Sequence, residues 1–296
     1  MAMRWLRGNL HTHTSNSDGD SPPEVVAAWY RDAGYDFLAL TDHDRLTRPE
    51  PLRAAAGPML LVPGEEVTSG PVHVNALGID APIEPRFGRD ARETIELDVA
   101  AIRAQRAVPV LNHPNFRWAV GAAAIDAVAG LGLMEVYNAS PDCNDRGRPG
   151  NPSSEATWDA VLAAGGRIGG IATDDAHHYR AWGRAYANPG RAWVVVRAAA
   201  CETGPILAAL EAGDFYASTG IELATLHATT DELAIEVATR GDLHYVTRFI
   251  GRDGRVLDEV HGPQARYRPR PGDRYVRAQV EDSDGSIGWV QPVYPG

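Results

Sequence analysis

The chain has 296 residues, 44% of them hydrophobic, which suffices for one large core or for a large core with a small satellite. Its 28 basic and 39 acidic residues leave a formal net charge of −11, a field that opposes nucleic-acid polymers and anionic membrane surfaces, and no Lys/Arg block overrides it. The first ten residues lack the apolar region of a signal peptide and no run of about 18 apolar residues occurs, so a cytoplasmic protein without a membrane partner is expected.

Residues 5–10 form an apolar run that ends on His11-Thr12-His13, with a turn-forming Ser17-Asp18-Gly19 just beyond. Ser21-Pro22-Pro23-Glu24 opens a helix through Tyr30, which Gly34 closes. The apolar run 37–40 leads into Asp42-His43-Asp44, and the run 60–62 into Glu65-Glu66. His73 lies inside a further run, 72–77. Asp90 and Glu93 have the spacing of a capping box before a helix at 95–105. Run 108–111 is followed by His113, and run 133–136 by Tyr137-Asn138. Ser153-Ser154 opens a helix that ends at Gly165-Gly166. Run 168–171 leads to Asp174-Asp175 and His177-His178, and a last apolar run (193–196) precedes a helix at 203–213.

Short apolar runs bounded by Gly, Pro or Asp read as buried parallel strands, and strand-then-helix repeats imply an α/β fold. Seven or so such units over about 200 residues suit a closed barrel. After about residue 220 the segments become short and alternating, with Asp253-Gly254 and Asp284-Gly285 as hairpin-type turns. The expected organisation is therefore a barrel over residues 1–220 and a small antiparallel β appendage over 221–296. Cys143 and Cys201 form no C-x-x-C pair, which excludes zinc-ribbon and thioredoxin motifs and leaves two separate thiols of a reducing compartment.

In a parallel barrel all strand C-termini open onto one face, where active sites are built. Six groups of ligand-type side chains follow or begin apolar runs and so converge on that mouth. Within them, residues i and i+2 of a strand point the same way, which lets His11 and His13 reach one ion, and Asp175 and His177 repeat the spacing. Taken alone, each histidine would pass for a solvated strand-end residue and each carboxylate for a helix cap or turn former. Together they would repel or pay a large desolvation cost unless cations held them. Imidazole with carboxylate and no thiolate suits Mn, Fe or Zn rather than Ca or Mg.

The ordered set Asn9-Leu10-His11-Thr12-His13, Ser17-Asp18-Gly19, Leu40-Thr41-Asp42-His43, Gly64-Glu65-Glu66-Val67-Thr68, His73-Val74-Asn75-Ala76-Leu77-Gly78, Asn112-His113-Pro114, Glu135-Val136-Tyr137-Asn138 and Asp175-Ala176-His177 resembles the PHP (polymerase and histidinol phosphatase) superfamily, and within it the carbaryl-hydrolase-like branch. The resemblance implies a distorted seven-stranded β/α (TIM-like) barrel and two or three divalent metal ions. It assigns one ion to His11, His13, Glu66 and Asp175, a second to Glu66, His73 and His113, and a third to Asp18, His43 and His177. Glu66 is preferred to Glu65 by the family's Gly-x-Glu spacing, and Asp175 to Asp174 by its Asp-x-His. Asp18 departs from the histidine common at that place in three-metal members, which leaves a two-metal enzyme open.

The implied activity is hydrolysis of a small, anionic phosphorylated substrate by a hydroxide bridging two ions, with Glu66 as the bridging carboxylate. Asp42 and His178 are candidates for orienting ligands or moving protons, and Arg146, Arg148 and Arg180 for binding the phosphate. Carbamate, ester or amide hydrolysis on the same cluster is the rival chemistry, and a catalytically silent binding module of the same fold is the non-enzymatic one. Oligomeric state has no sequence signal.

Overall fold

The computed structural model describes residues 3–126 and 128–295. In chain order the elements are β1 (Arg4–Asn9), α1 (Pro23–Asp32), β2 (Phe37–Leu40), α2 (Arg53–Ala56), β3 (Leu60–Ser69), β4 (Val72–Leu77), α3 (Ala91–Ala104), β5 (Val108–Leu111), α4 (Ala122–Ile125), β6 (Leu133–Asn138), α5 (Ser154–Ala164), β7 (Gly169–Thr173), β8 (Trp193–Ala198), α6 (Thr203–Ala212), β9 (Phe215–Ser218), β10 (Leu223–Ala228), β11 (Leu233–Val237), β12 (Tyr245–Gly251), β13 (Arg255–His261), β14 (Gln264–Tyr267), β15 (Val276–Asp282) and β16 (Ile287–Val293). The helix ends follow local chemistry. The Asp90 side chain accepts from Glu93 N to start α3, Ser153 accepts from Ala156 N to start α5, and Gly165 closes α5 at φ 108. The first helix begins at Pro23 with Pro22 rather than Ser21 as its cap.

The expected seven-stranded closed barrel is replaced by a sheet of thirteen strands, in the order β13-β12-β15-β16-β9-β8-β1-β2-β3-β4-β5-β6-β7. Only two stretches are parallel, β1-β2-β3 and β5-β6-β7. Strand β4 runs antiparallel to both neighbours, and β8 antiparallel to β1. The reason for the first departure is length. Only Gly70 and Pro71 lie between β3 and β4, whereas a parallel crossover needs a dozen or more residues, so the two strands form a hairpin with Gly70 at φ 70. Strands β12, β13, β15 and β16 pair with each other and join the main sheet where β16 pairs with β9. A separate sheet, β10-β11-β14, covers one side.

The sheet curls, because side chains from β1 through β9 share one inner core: Leu6 and Leu10 meet Phe37, Val62, Leu77, Val110, Leu133, Ile171, Val194 and Phe215. Two further cores lie outside it. One packs α3, α4 and α5 on β4–β7, and the other packs α1 and α2 with the C-terminal strands. Where β7 comes against β16, no ladder forms. The Gln291 amide fills the place of a strand, accepting from Gly170 N and donating to Gly170 O, both at 2.8 Å. At the opposite end of β7 the chain meets the extension of β1: His13 N donates to Ala176 O at 2.9 Å and Asp175 N to His11 O at 3.0 Å. Those two bonds bring the ends of the first and seventh strands to one mouth.

Candidate metal centre

All nine side chains expected as ligands gather at that mouth. They form four overlapping sets in which one ligand atom per residue lies within 4.8 Å of the others: His13, Asp18, His43 and His177; His11, His13 and Glu66; His11, His113 and Asp175; His43, Glu66 and His73. His11, His13, Glu66 and Asp175 are the innermost. Nε2 of His11 and Nε2 of His13 are 3.2 Å apart, and each is 3.2 Å from Asp175 Oδ1. Glu66 Oε1 is 3.4 Å from His11 Nε2, and Glu66 Oε2 is 3.3 Å from His13 Nε2. His73 Nδ1 and His113 Nε2 both approach Glu66 Oε1, at 3.0 and 3.2 Å, but do not share a three-residue set. His13 joins Asp18, His43 and His177 in the outer group.

These spacings fit metal ligation. Ligand atoms held about 2.0–2.1 Å from a tetrahedral ion lie about 3.3–3.4 Å from each other. Buried Glu66 Oε2 and Asp175 Oδ1 accept no hydrogen bond, although imidazole nitrogens surround them. In its neutral form His11 keeps the ring proton on Nδ1, which faces Glu135 Oε1 at 2.7 Å, and so turns the Nε2 lone pair toward the cluster, where a cation can take it. Nitrogen and oxygen donors without thiolate suit borderline divalent ions.

The electrostatics tell the same story without an ion. Burial alone would raise the Glu66 carboxyl, yet the imidazoles of His11 and His73 hold it well below the usual carboxylate range. Burial would depress His11, but Asp175, Glu66 and Glu135 raise it well above an ordinary imidazole. His177 is likewise driven up to about 9, against burial, by Asp18 and Asp175. Protons on imidazoles thus offset the carboxylates, and cations would displace those protons on binding.

Local structure explains which of two adjacent candidates faces the cluster. Side chains alternate along β3, so Glu66 turns inward and Glu65 outward, where its Oε1 accepts from Ile83 N. Asp175 points at His11 and His13 from a left-handed backbone (φ 47), while Asp174 is wrapped by Gly190 N, Arg191 N and Ala192 N at 2.7–2.9 Å, with Asn9 and Tyr30 on its Oδ2. The strained φ of Asp175, and the φ of 20 at His113, fall where strands end at the site. A tight loop delivers Asp18: a Cβ on Gly19 would lie 2.7 Å from His13 O, so only glycine lets the loop fold back over the histidine.

The remaining expected residues stand elsewhere. Asp42 does not line the cavity. Its carboxylate accepts from Thr14 N (2.7 Å), Thr14 Oγ1, Ser17 Oγ (both 2.9 Å) and Thr47 Oγ1, so it braces the loop that carries Asp18. His178 does line the cavity, and its buried Nδ1 has no partner. None of the three arginines lines it, which corrects their placement at the mouth. Arg148 bonds Asn151 and lies over the Trp118 ring, Arg146 borders a separate small pocket beside Tyr137, and the Arg180 side chain is exposed to solvent. Arg146 and Arg148 follow Asp145, whose carboxylate accepts from Asn138 N at 2.8 Å and holds that segment back against the end of β6.

Glu135 was quoted in the motif but given no role, and it is central. Its Oε1 meets His11 Nδ1 at 2.7 Å and its Oε2 accepts His113 N at 2.6 Å. Asn112, in the same set of motifs and likewise without an expected role, donates from Nδ2 to Glu66 Oε1 at 2.7 Å and to Asn75 Oδ1 at 2.9 Å. The one signal for Glu135 was a carboxylate inside an otherwise apolar strand. The cavity over the cluster has a volume of about 450 Å³ and is walled by Phe116, the turn Ser140-Pro141-Asp142-Cys143, His178, Ala185 and Ala187.

No family model and no curated protein matches the sequence. Among solved structures, a two-domain protein from Bacteroides vulgatus, containing a predicted PHP-like metal-dependent phosphoesterase, superposes with a TM-score of 0.56 at 16% identity, over 94% of this chain and 90% of that one. A candidate metal-dependent phosphoesterase from Bifidobacterium adolescentis gives 0.44 at 18% identity, over 61% of this chain and 89% of that one. An amidohydrolase from Chromobacterium violaceum gives 0.41 at 19%, over 58% and 88%. The first likeness is one of fold, and it extends over nearly the whole of both chains.

Proposed function

We propose that this chain is a metal-dependent hydrolase of the PHP superfamily, a phosphoesterase acting on a small phosphorylated molecule. The observation that carries the reading is the convergence of nine histidine and carboxylate side chains in four overlapping ligand sets at one mouth. The fold shared with a protein containing a predicted PHP-like phosphoesterase supports it. Residues 1–220 contain every one of these side chains and are taken as the catalytic domain, with 221–296 as a β unit packed against it.

Two or three divalent ions (Mn, Fe or Zn) would be held by His11, His13, Glu66 and Asp175, by Glu66 with His73 and His113, and by Asp18, His43 and His177 with His13. Such ions lower the pKa of bound water and offset charge developing on phosphoryl oxygens. The chain's own residues supply the rest. Glu66 presents both oxygens to different imidazoles, which suits a bridging carboxylate. Glu135 and Asn112 fix the orientation of His11 and Glu66. His178 lines the cavity beside these groups.

A second reading, carbamate, ester or amide hydrolysis, draws support from one feature: among the described residues lining the cavity there is no arginine to meet a phosphate. Elemental analysis of protein purified without chelator or affinity tag, followed by assay against aryl phosphates, phosphodiesters and aryl carbamates, tests both. Two or three equivalents of Mn, Fe or Zn, reduced in His113→Ala, with turnover of a phosphate, is the expected result. A protein that neither contains nor binds these metals would sink the hydrolase reading. Loaded protein active only on carbamates would install the second.

A further inference from the structure

One wall of the cavity is the turn that follows β6. Hydrogen bonds to β7 and within the turn build it: Ala139 N donates to Thr173 O and Ser140 N to Asn138 Oδ1, each at 2.9 Å, and Cys143 N to Ser140 O at 3.3 Å. Ser140 Oγ donates to Asp142 Oδ1 at 2.9 Å, and Asn144 Nδ2 holds the Asp142 carbonyl at 2.9 Å. The Asp142 carboxylate is thereby set at the cavity's edge, exposed to solvent.

The cavity's other carboxylates, Asp18, Glu66 and Asp175, all belong to ligand sets, and Asp142 to none. Ions on the cluster would take the first three as ligands and leave Asp142 unligated at the cavity's edge. Of the histidines that share the lining, His43, His73, His113 and His177 belong to the ligand sets, where bound ions would leave their rings neutral, and no arginine joins them. Every one of the 28 basic residues is arginine, and among the described residues lining the cavity there is none. Arg184 precedes Ala185 of the lining, but its side chain is exposed and not part of the wall. An anionic group on the portion of a substrate that lies outside the cluster would therefore meet a like charge and no counter-charge, an arrangement that disfavours binding.

We infer that the site selects phosphoesters whose reacting phosphoryl group is their only anion, with an uncharged or cationic remainder, and that Asp142 sets this preference. Phe116, Pro141, Ala185 and Ala187 give the remainder apolar surface. A second phosphate or a carboxylate on the remainder is what the cavity rejects.

The inference rests on the phosphoesterase reading, and its test separates the two. Phenyl phosphate, 4-carboxyphenyl phosphate and 4-(aminomethyl)phenyl phosphate differ in one para substituent. Their kcat/KM values are compared for metal-loaded wild type, Asp142→Asn and Asp142→Arg, so that leaving-group differences cancel between proteins. The carboxyl-to-phenyl ratio should rise about tenfold in Asp142→Arg, and the aminomethyl-to-phenyl ratio should fall, with Asp142→Asn between. Calorimetric affinities for phenylphosphonate and 4-carboxyphenylphosphonate give the same comparison without turnover. Ratios that do not move with the charge at position 142 overturn the inference and leave the phosphoesterase reading standing. Absence of turnover on all three phosphates overturns that reading, while the phosphonate affinities still decide the charge preference. If neither phosphonate binds, both fall.

Discussion

Glu135 Oε1 lies 2.7 Å from Nδ1 of His11, with both side chains wholly buried. The contact places the imidazole proton on Nδ1 and turns the Nε2 lone pair toward His13, Glu66 and Asp175. The other oxygen of Glu135 accepts from His113 N and from Asn138 Nδ2, so one carboxylate orients ligands from two strand ends. Glu135→Gln keeps the shape but loses an acceptor. Its metal affinity should fall by about 10–100-fold, with the fold intact by circular dichroism. A competition titration against a chromophoric chelator reads this directly, and equal affinity in the two proteins would remove Glu135 from the site.

Arg277 on β15 is 1% exposed and forms paired hydrogen bonds to Asp159 on α5, Nε to Oδ1 and NH2 to Oδ2, both 2.7 Å. Its NH1 is 2.7 Å from Glu155, and its guanidinium lies over the Trp158 ring. This ties the C-terminal strands to the first part of the chain. Arg277→Ala leaves the Asp159 carboxylate buried without its partner, a loss of about 3–5 kcal/mol. Urea denaturation should show it, whereas a loss below about 1 kcal/mol would mean that water replaces the guanidinium as a partner.

Asp98 on α3 is buried, and its Oδ2 has no hydrogen-bond partner. Burial pushes its carboxyl up to about 7, against the opposing Ser69 hydroxyl and Arg86 N–H, from an ordinary 3.8. A raised carboxyl means that the folded chain holds a proton that the unfolded chain releases. Its contribution to stability is full below about pH 3.8 and is lost as pH rises through about 7. Asp98→Asn, which cannot ionise, should lose less stability than wild type between pH 5 and pH 8. Parallel urea curves at the two pH values check the sign, and equal losses would mean that Asp98 stays ionised throughout.

Strand positions were legible where burial is two-sided. Strands β2 and β5 are buried at every residue, so their sequences are unbroken apolar runs. Strand direction is not written in such runs. For β3 and β4 the separation of two residues carried it, and composition alone suggested two parallel strands. The pairing of Trp289 with Ala217 joins distant parts of the chain and has no local signature, so the extent of the sheet was not readable. In the site, period two made His11 and His13 legible as a pair. Glu135 had no visible partner until folding set it beside His11, 124 residues away in sequence. The arginines failed for the converse reason: proximity in sequence to a motif does not fix which way a loop turns.

Asp42 stands behind the histidine and carboxylate cluster and holds the loop that carries Asp18. Four hydrogen bonds from Thr14, Ser17 and Thr47 converge on its carboxylate. Ser17 also reaches Asp18 Oδ1, at 3.3 Å, and Asp18 lies 3.2 Å from His177 Nε2 and 3.6 Å from His43 Nε2. The inner residues His11, Glu66 and Asp175 are anchored instead by Glu135, Asn112 and their own strands. Asp42→Ala should therefore free the Asp18 loop and weaken the outer group while sparing the inner one. Elemental analysis should find about one equivalent of metal fewer than in wild type, if the outer group holds an ion of its own. Asp18→Asn should give the same deficit without disturbing the loop. A full metal complement in both variants would mean that only the inner residues bind ions, and that Asp18 serves the cavity as a charge rather than as a ligand.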